Sequence, residues 1–298
     1  MNYRDLILNL PNQFKYQPEI INADKLRPFK HIIIAGMGGS RLAPDILKML
    51  RPDLDIHIHS NFGLPVVRDD ANTLVIANSY SGNTAETISV AQEALKQGLP
   101  LAIVASGGKL IEFAAANHLP HIVIPEQNLP PRTAIGYSLV ALAALLGLDR
   151  DIFAGWQTPV SDELVQQSKD IAEILQGGIP LIYCADQYKE LGYVWKTILN
   201  ETAKVPAFCN RYPEFFHNEI ASYDSTLAKQ LRVLVIGANQ ERLLNFLKEK
   251  NIPHTNIVFD SNIASAIILV HLTALALAEI AGMDPLSTPA IDEFKKLA

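Results

Sequence analysis

Short runs of apolar, often β-branched residues alternate along this chain with longer stretches whose apolar positions recur at helical spacing. In the first half, His31–Ala35, Asp55–His59, Thr73–Asn78, Leu101–Ala105 and residues 121–124 read as buried strands, each followed by a helical pattern or a turn. Consecutive apolar positions suit a strand covered on both faces, and helices on both sides of a sheet provide that cover. The alternation therefore predicts an α/β fold with a parallel sheet flanked by helices. The second half repeats the theme more loosely. Strand candidates lie at 179–184, 205–208, 232–236 and 256–259, with helical patterns at 189–204 and 239–250. Gly155, Pro159 and Ser161 break the pattern across 154–162. Two related lobes are expected, at 1–153 and 154–298.

With 298 residues, the chain is long enough to bury a full core in each lobe. Hydrophobic residues make up 49% and charged residues 19%, which fits a compact enzyme and not a disordered chain. The net charge of −6 disfavours nonspecific binding to nucleic acid or acidic membranes, so any anion site has to be built locally. Ile263–Ala281 is strongly apolar, but His271 and Glu279 interrupt it. It reads as a buried core helix, because a membrane span tolerates charge poorly. Residues 1–10 lack the basic-then-apolar layout of a signal peptide, and a cytoplasmic protein is expected. Cys184 and Cys209 are too few for a disulfide framework and too far apart for a metal-type pair. They read as buried free thiols. His57 and His59 alternate beside Asp55, but no third ligand follows at a suitable spacing, so no metal is expected.

Two turns carry candidate chemistry. Gly36-Met37-Gly38-Gly39-Ser40 follows the first strand. Glycines there let the backbone turn tightly and approach a ligand, and the free N–H groups of the next helix attract anions. The spacing is not that of a dinucleotide fingerprint, and a tight strand-to-helix connection would look the same. The second turn, Asn78-Ser79-Tyr80-Ser81-Gly82-Asn83-Thr84, precedes the helical stretch Ala85–Lys96. An N-cap needs one hydroxyl. Three of them (Ser79, Ser81 and Thr84) beside a glycine indicate a phosphate cradle made of hydroxyls and backbone N–H groups.

Ser79-Tyr80-Ser81-Gly82-Asn83-Thr84-Ala85-Glu86-Thr87 resembles the phosphosugar-binding loop of the sugar isomerase (SIS) domain. Residues 36–40, Pro131-Arg132-Thr133-Ala134-Ile135-Gly136-Tyr137, Asn200-Glu201, Pro213-Glu214, His217-Asn218-Glu219 and Pro289–Lys295 extend the likeness over nearly the whole chain. Together they resemble the bifunctional phosphoglucose/phosphomannose isomerase family, in that family's order. The serine loop alone is shared with regulators and aminosugar enzymes; its combination with Glu201, His217 and Lys295 is more specific. The resemblance implies two SIS-type αβα sandwich domains and a homodimer that acts on a small sugar phosphate. It also implies reversible conversion of glucose 6-phosphate and mannose 6-phosphate to fructose 6-phosphate through a cis-enediolate, with no cofactor.

Residue roles follow from the same resemblance. Gly38, Gly39, Ser40, Ser79, Ser81 and Thr84 would hold the phosphate or neighbouring oxygens. Glu201 would move the proton between C1 and C2, since a partly desolvated carboxylate is a competent base. His217 and Lys295 would open the sugar ring, with His217 carried across the dimer interface to the partner's site. Arg132 would steady the enediolate with its permanently charged donors, and Thr288 would let the site accept either C2 epimer. Taken singly, each residue has an ordinary reading: a solvated helical glutamate, a core histidine beside Phe215 and Phe216, a solvated arginine, a surface lysine beside Lys296. Three positions depart from the expected pattern: Arg41 in place of a small residue, Thr202 in place of asparagine, and Ser222-Tyr223 where a tryptophan is expected nearby. Two other readings remain: a noncatalytic phosphosugar sensor, and an isomerase for another sugar phosphate. The sensor would need an effector module, and neither a helix-turn-helix nor a basic extension is evident.

Overall fold

The computed structural model describes residues 2–237, 240–258 and 263–297. The chain divides into two compact units, Leu10–Gln157 and a second made of Met1–Asn9 with Thr158–Ala298. Helix α1 (Tyr3–Leu8) thus belongs with the C-terminal half. Asn2 starts it by accepting the Asp5 N–H at 2.8 Å, and its buried face is Tyr3, Leu6 and Ile7. A short helix, α2 (Leu10–Gln13), opens the other unit.

The Leu10–Gln157 unit continues through β1 (His31–Ala35), α3 (Gly39–Leu50), β2 (Asp55–His59), β3 (Thr73–Asn78), α4 (Ala85–Lys96), β4 (Leu101–Ala105), α5 (Gly108–Ala116), β5 (His121–Val123) and α6 (Ile135–Leu145). All strand pairs are parallel, in the order β2-β1-β3-β4-β5. The sheet expected from the sequence is present. Every residue of β3 and β4 is buried, as consecutive apolar positions require. β2 departs from the expectation of a buried strand: it lies at the sheet edge, with Asp55 and His57 exposed. On one face, Ile33, Val75 and Ile103 meet Val90, Ala91 and Ala94 of α4 and Leu110 and Ala114 of α5. α6 is apolar almost all round and correspondingly buried, packed against α3.

The strand order reverses between β1 and β3. The chain leaves β1 toward β2 on one side, then returns to place β3 on the other. Ala35 lies opposite Ala77, so the loops after both strands leave the sheet at one level and diverge. Such a switch point is where open α/β sheets bind ligands.

The second unit comprises α1 with α7 (Asp162–Leu175), β6 (Ile179–Ala185), α8 (Lys189–Ile198), β7 (Phe208–Tyr212), β8 (Leu231–Ile236), α9 (Glu241–Glu249), β9 (His254–Ile257), α10 (Ile263–Ala281) and α11 (Pro289–Lys295). Its parallel sheet runs β7-β6-β8-β9. Three elements differ from the sequence reading, the mildest being β9, which starts two residues before the strand expected at 256–259. The helical run expected over 189–204 ends as α-helix at Ile198 and widens into a π turn, Leu199–Ala203, closed by Lys204 in the left-handed region (φ 57°). The strand expected at 205–208 begins at Phe208 instead, after an irregular stretch over 205–207. β7 is an edge strand whose polar Asn210 and Arg211 hid it in the sequence. Of the stretches expected at 239–250 and 256–259, Asn239 and Phe259 lie outside the described residues. Helix α10 is long and apolar enough to cross a membrane by length and composition, yet 78% of that stretch is buried, against α7, α8, α1 and the π turn. It is a core helix.

Candidate active site

The candidate anion cradle lies where the loops after β1 and β3 meet. Gly38 turns the chain at φ 50°, a region that favours glycine. A Cβ on Gly39 would stand 2.5 Å from the Arg132 amide nitrogen, so the first loop packs directly on the Pro131–Thr133 turn. Ser40, in the first turn of α3, is buried and laced to the second loop. Its hydroxyl accepts the Tyr80 N–H at 2.9 Å, and its carbonyl accepts the Asn78 side-chain amide at 2.6 Å. Across the turn at Gly82 (φ 67°), the Ser79 and Thr84 hydroxyls pair at 2.9 Å, and Ser81 is exposed. Thr84 occupies the N-cap of α4 without making a side-chain cap bond, so the helix start presents N–H groups beside clustered hydroxyls. That arrangement suits an oxyanion.

Arg132 reverses its ordinary reading: it is 2% exposed, not solvated. Its turn is braced by Gln13, which donates to the Thr133 carbonyl at 2.7 Å and accepts the Gly136 N–H at 2.9 Å. Neither Gln13 nor Asn78 stood out as a brace in the sequence, because a lone amide carries no pattern. Arg41 pairs with the buried Asp45 at 3.0 Å and reaches Ser60 at 3.4 Å, while Ser60 donates to the Gly36 carbonyl at 2.8 Å. The Arg41 departure therefore ties α3 to the loop after β2.

Glu201, His217, Thr288 and Lys295 all belong to the other unit. Glu201 sits half-buried in the π turn between buried Leu199 and Thr202. Lys204 donates to the Thr202 carbonyl at 3.2 Å and to the Asp284 carbonyl at 2.5 Å, which joins the π turn to the segment leading into α11. The Asp284 carboxylate accepts the Leu286 and Ser287 N–H groups. These bonds, helped by Lys204, hold its pKa below the usual carboxylate value. Thr288 precedes α11 half-buried, without a side-chain cap bond, and Lys295 and Lys296 are both exposed at the helix end.

His217 also reverses its ordinary reading and is exposed. The turn that carries it, Glu214–His217, is pinned by buried Phe215, stacked on Tyr183 at 3.7 Å between ring centroids. Glu219 accepts from Asn210 and from the Tyr183 hydroxyl, which in turn receives the Tyr223 hydroxyl. Burial pushes the Tyr183 pKa far up and that of Tyr223 to about 12, so both stay protonated as donors. Neither cysteine is in a disulfide; Cys184 is buried as expected while Cys209 is only half-buried, and burial lifts the Cys184 thiol to about 12. Among the described residues no group of three or more His, Cys, Asp or Glu side chains is placed to hold a metal ion.

The profile of the bacterial phospho-glucose isomerase C-terminal SIS domain matches residues 164–297. A bifunctional phosphoglucose/phosphomannose isomerase from Thermoplasma acidophilum is 32% identical, over 90% of this chain and 89% of its own. The chain belongs to the bifunctional phosphoglucose/phosphomannose isomerase family. A further relative, 29% identical over 88% of this chain and 85% of its own, is a D-glucosamine-6-phosphate 4-epimerase from Sulfolobus acidocaldarius. Among solved structures, glucosamine-6-phosphate deaminase from Thermotoga maritima superposes with a TM-score of 0.69 at 16% identity, covering 96% of both chains. That likeness concerns the fold alone. The family recognised from short motifs is thus also the one recovered along the whole chain.

Proposed function

We propose that this family member interconverts glucose 6-phosphate and mannose 6-phosphate with fructose 6-phosphate through a cis-enediolate, without a cofactor. The observation that carries the reading is the convergence of Ser40, Ser79 and Thr84 at the β1/β3 switch point, a cradle for an anion in a chain of net charge −6. Gly38 and Gly39 give the backbone close approach, and exposed Ser81 adds a third hydroxyl to that loop. Glu201 takes the proton from one carbon and returns it to the next. His217 and Lys295 move the protons that open the ring, and buried Arg132 offers its fixed charge to the enediolate. Thr288 contacts the sugar near C2. The working form is a homodimer, with the exposed His217 serving the partner subunit's site.

The test is an NMR time course of metal-free protein with fructose 6-phosphate in deuterated water. Glucose and mannose 6-phosphates, both deuterated at C2, support the full reading; glucose 6-phosphate alone narrows the substrate. Glu201→Gln should lose about two to four orders of magnitude in rate, the usual share of a positioned base. Normal turnover by that variant removes Glu201 from the role. The epimerase relative favours one competing reading, so glucosamine 6-phosphate belongs in the same panel. Conversion at C4 with no action on fructose 6-phosphate would replace the proposal.

A further inference from the structure

Thr202 follows Glu201 directly and is fully buried, a small hydroxyl where the family pattern leads one to expect asparagine. Its Oγ1 lies 2.9 Å from the Tyr3 hydroxyl, and that hydroxyl lies 2.7 Å from His271 Nδ1. Tyr3 is 2% exposed and His271 0%. One phenol therefore links α1, the π turn and α10, segments far apart in sequence. A phenol has a single proton, so it donates to one neighbour and accepts from the other. The run Thr202–Tyr3–His271 is continuous whichever way that proton points.

We infer that Tyr3 and His271 are positioning residues for Glu201 and act on it through Thr202. The inference rests on Glu201 being the base. Glu201 and Thr202 share a peptide group, so restraining Thr202 restrains the backbone from which the Glu201 side chain leaves. Thr202 is held at both ends: its hydroxyl by Tyr3, its carbonyl by the Lys204 ammonium at 3.2 Å. A π turn lacks the regular hydrogen-bond ladder of an α-helix, so side-chain bonds carry more of its geometry. The reach of the device is local. It sets where the carboxylate points and touches nothing that binds the phosphate.

The experiment measures kcat and KM for fructose 6-phosphate in Tyr3→Phe, Thr202→Val, Thr202→Ser and Glu201→Gln, with thermal unfolding of each. Misplacing a catalytic group by about 1 Å can cost about 100-fold. Tyr3→Phe and Thr202→Val are expected to lower kcat by about 10-fold or more with KM nearly unchanged, and Thr202→Ser, which keeps the hydroxyl, to restore it. In a Glu201→Gln background Tyr3→Phe is expected to have no further effect on the residual rate, since both act at one group. General loosening would instead lower that rate again and raise KM. Wild-type kcat in Tyr3→Phe and Thr202→Val beside an inactive Glu201→Gln overturns the inference and leaves the base in place. Full activity in Glu201→Gln overturns the base assignment itself. If Tyr3→Phe fails to fold, the Thr202→Val and Thr202→Ser pair decides.

Discussion

Tyr183 donates its hydroxyl to Glu219 at 3.1 Å, two residues beyond the exposed His217. The bond runs from the middle of the sheet to the segment that carries the histidine, and the Phe215–Tyr183 stack reinforces it. Removing the donor leaves a half-buried carboxylate with Asn210 and strips a partner from Tyr223. A lost hydrogen bond to a charged acceptor commonly costs about 1.5–3 kcal/mol. Tyr183→Phe is expected to destabilise the protein by about that amount in urea unfolding. Its turnover should fall as the His217 turn loosens, and unchanged stability would show that the bond carries no load.

The pairing of Ser79 with Thr84 yields a binding prediction. Thr84→Val keeps the shape of the N-cap and removes one hydroxyl. A hydrogen bond to a doubly charged phosphate is worth about 1.5–3 kcal/mol, so KM for the sugar phosphate should rise about 10- to 100-fold. Only a modest fall in Tm is expected, because this hydroxyl makes no cap bond and its one lost partner, the Ser79 hydroxyl, is worth about 0.5–1.5 kcal/mol. Competition by inorganic phosphate reads the same loss without turnover.

His57 gives a pH dependence. Although His57 is exposed at the sheet edge, partial desolvation, then the nearby His59 and Lys48, lowers its pKa below the ordinary 6.5, against the opposing pull of Asp55. On acidification the unfolded chain takes up this proton before the folded one does. Stability therefore falls as pH drops through about 6.5 toward the lower folded value. His57→Gln is expected to flatten the stability–pH curve in that window, measured by thermal unfolding from pH 7 to 5. An unaltered slope would assign the acid sensitivity elsewhere.

Cys184 is expected to be inert. Its thiol is buried and its pKa is pushed up to about 12, which leaves almost no thiolate at pH 8. A chromogenic disulfide should titrate at most one thiol in the native protein and two in denaturant. Rapid reaction of both native thiols would contradict the burial.

Strands β1, β3 and β4 were legible in the sequence because central parallel strands are apolar at consecutive positions and end at glycine- or serine-rich turns. Edge strands were harder to read. β2 was expected buried and is half exposed, and β7 begins where the expected strand would have ended, since an edge needs apolar cover on fewer sides. The two loops of the candidate site were visible as motifs, yet their mutual bonds through Asn78, Ser40 and Tyr80 join residues about 40 positions apart. Local pattern is silent about such bonds.

Composition, strand periodicity and loop chemistry, all properties of neighbouring residues, were enough to determine an α/β chain with parallel sheets and to single out a hydroxyl-rich turn as the candidate anion site. Whether Arg132 is buried or solvated, and whether His217 faces the core or the solvent, was decided only in three dimensions, against the ordinary reading of each. The same holds for the π turn at Glu201, where Tyr3 and His271 converge from opposite ends of the chain on one buried hydroxyl. The reason is physical. Local sequence biases the backbone, but the exposure and hydrogen-bond partners of a side chain depend on which distant segments the packed core brings against it.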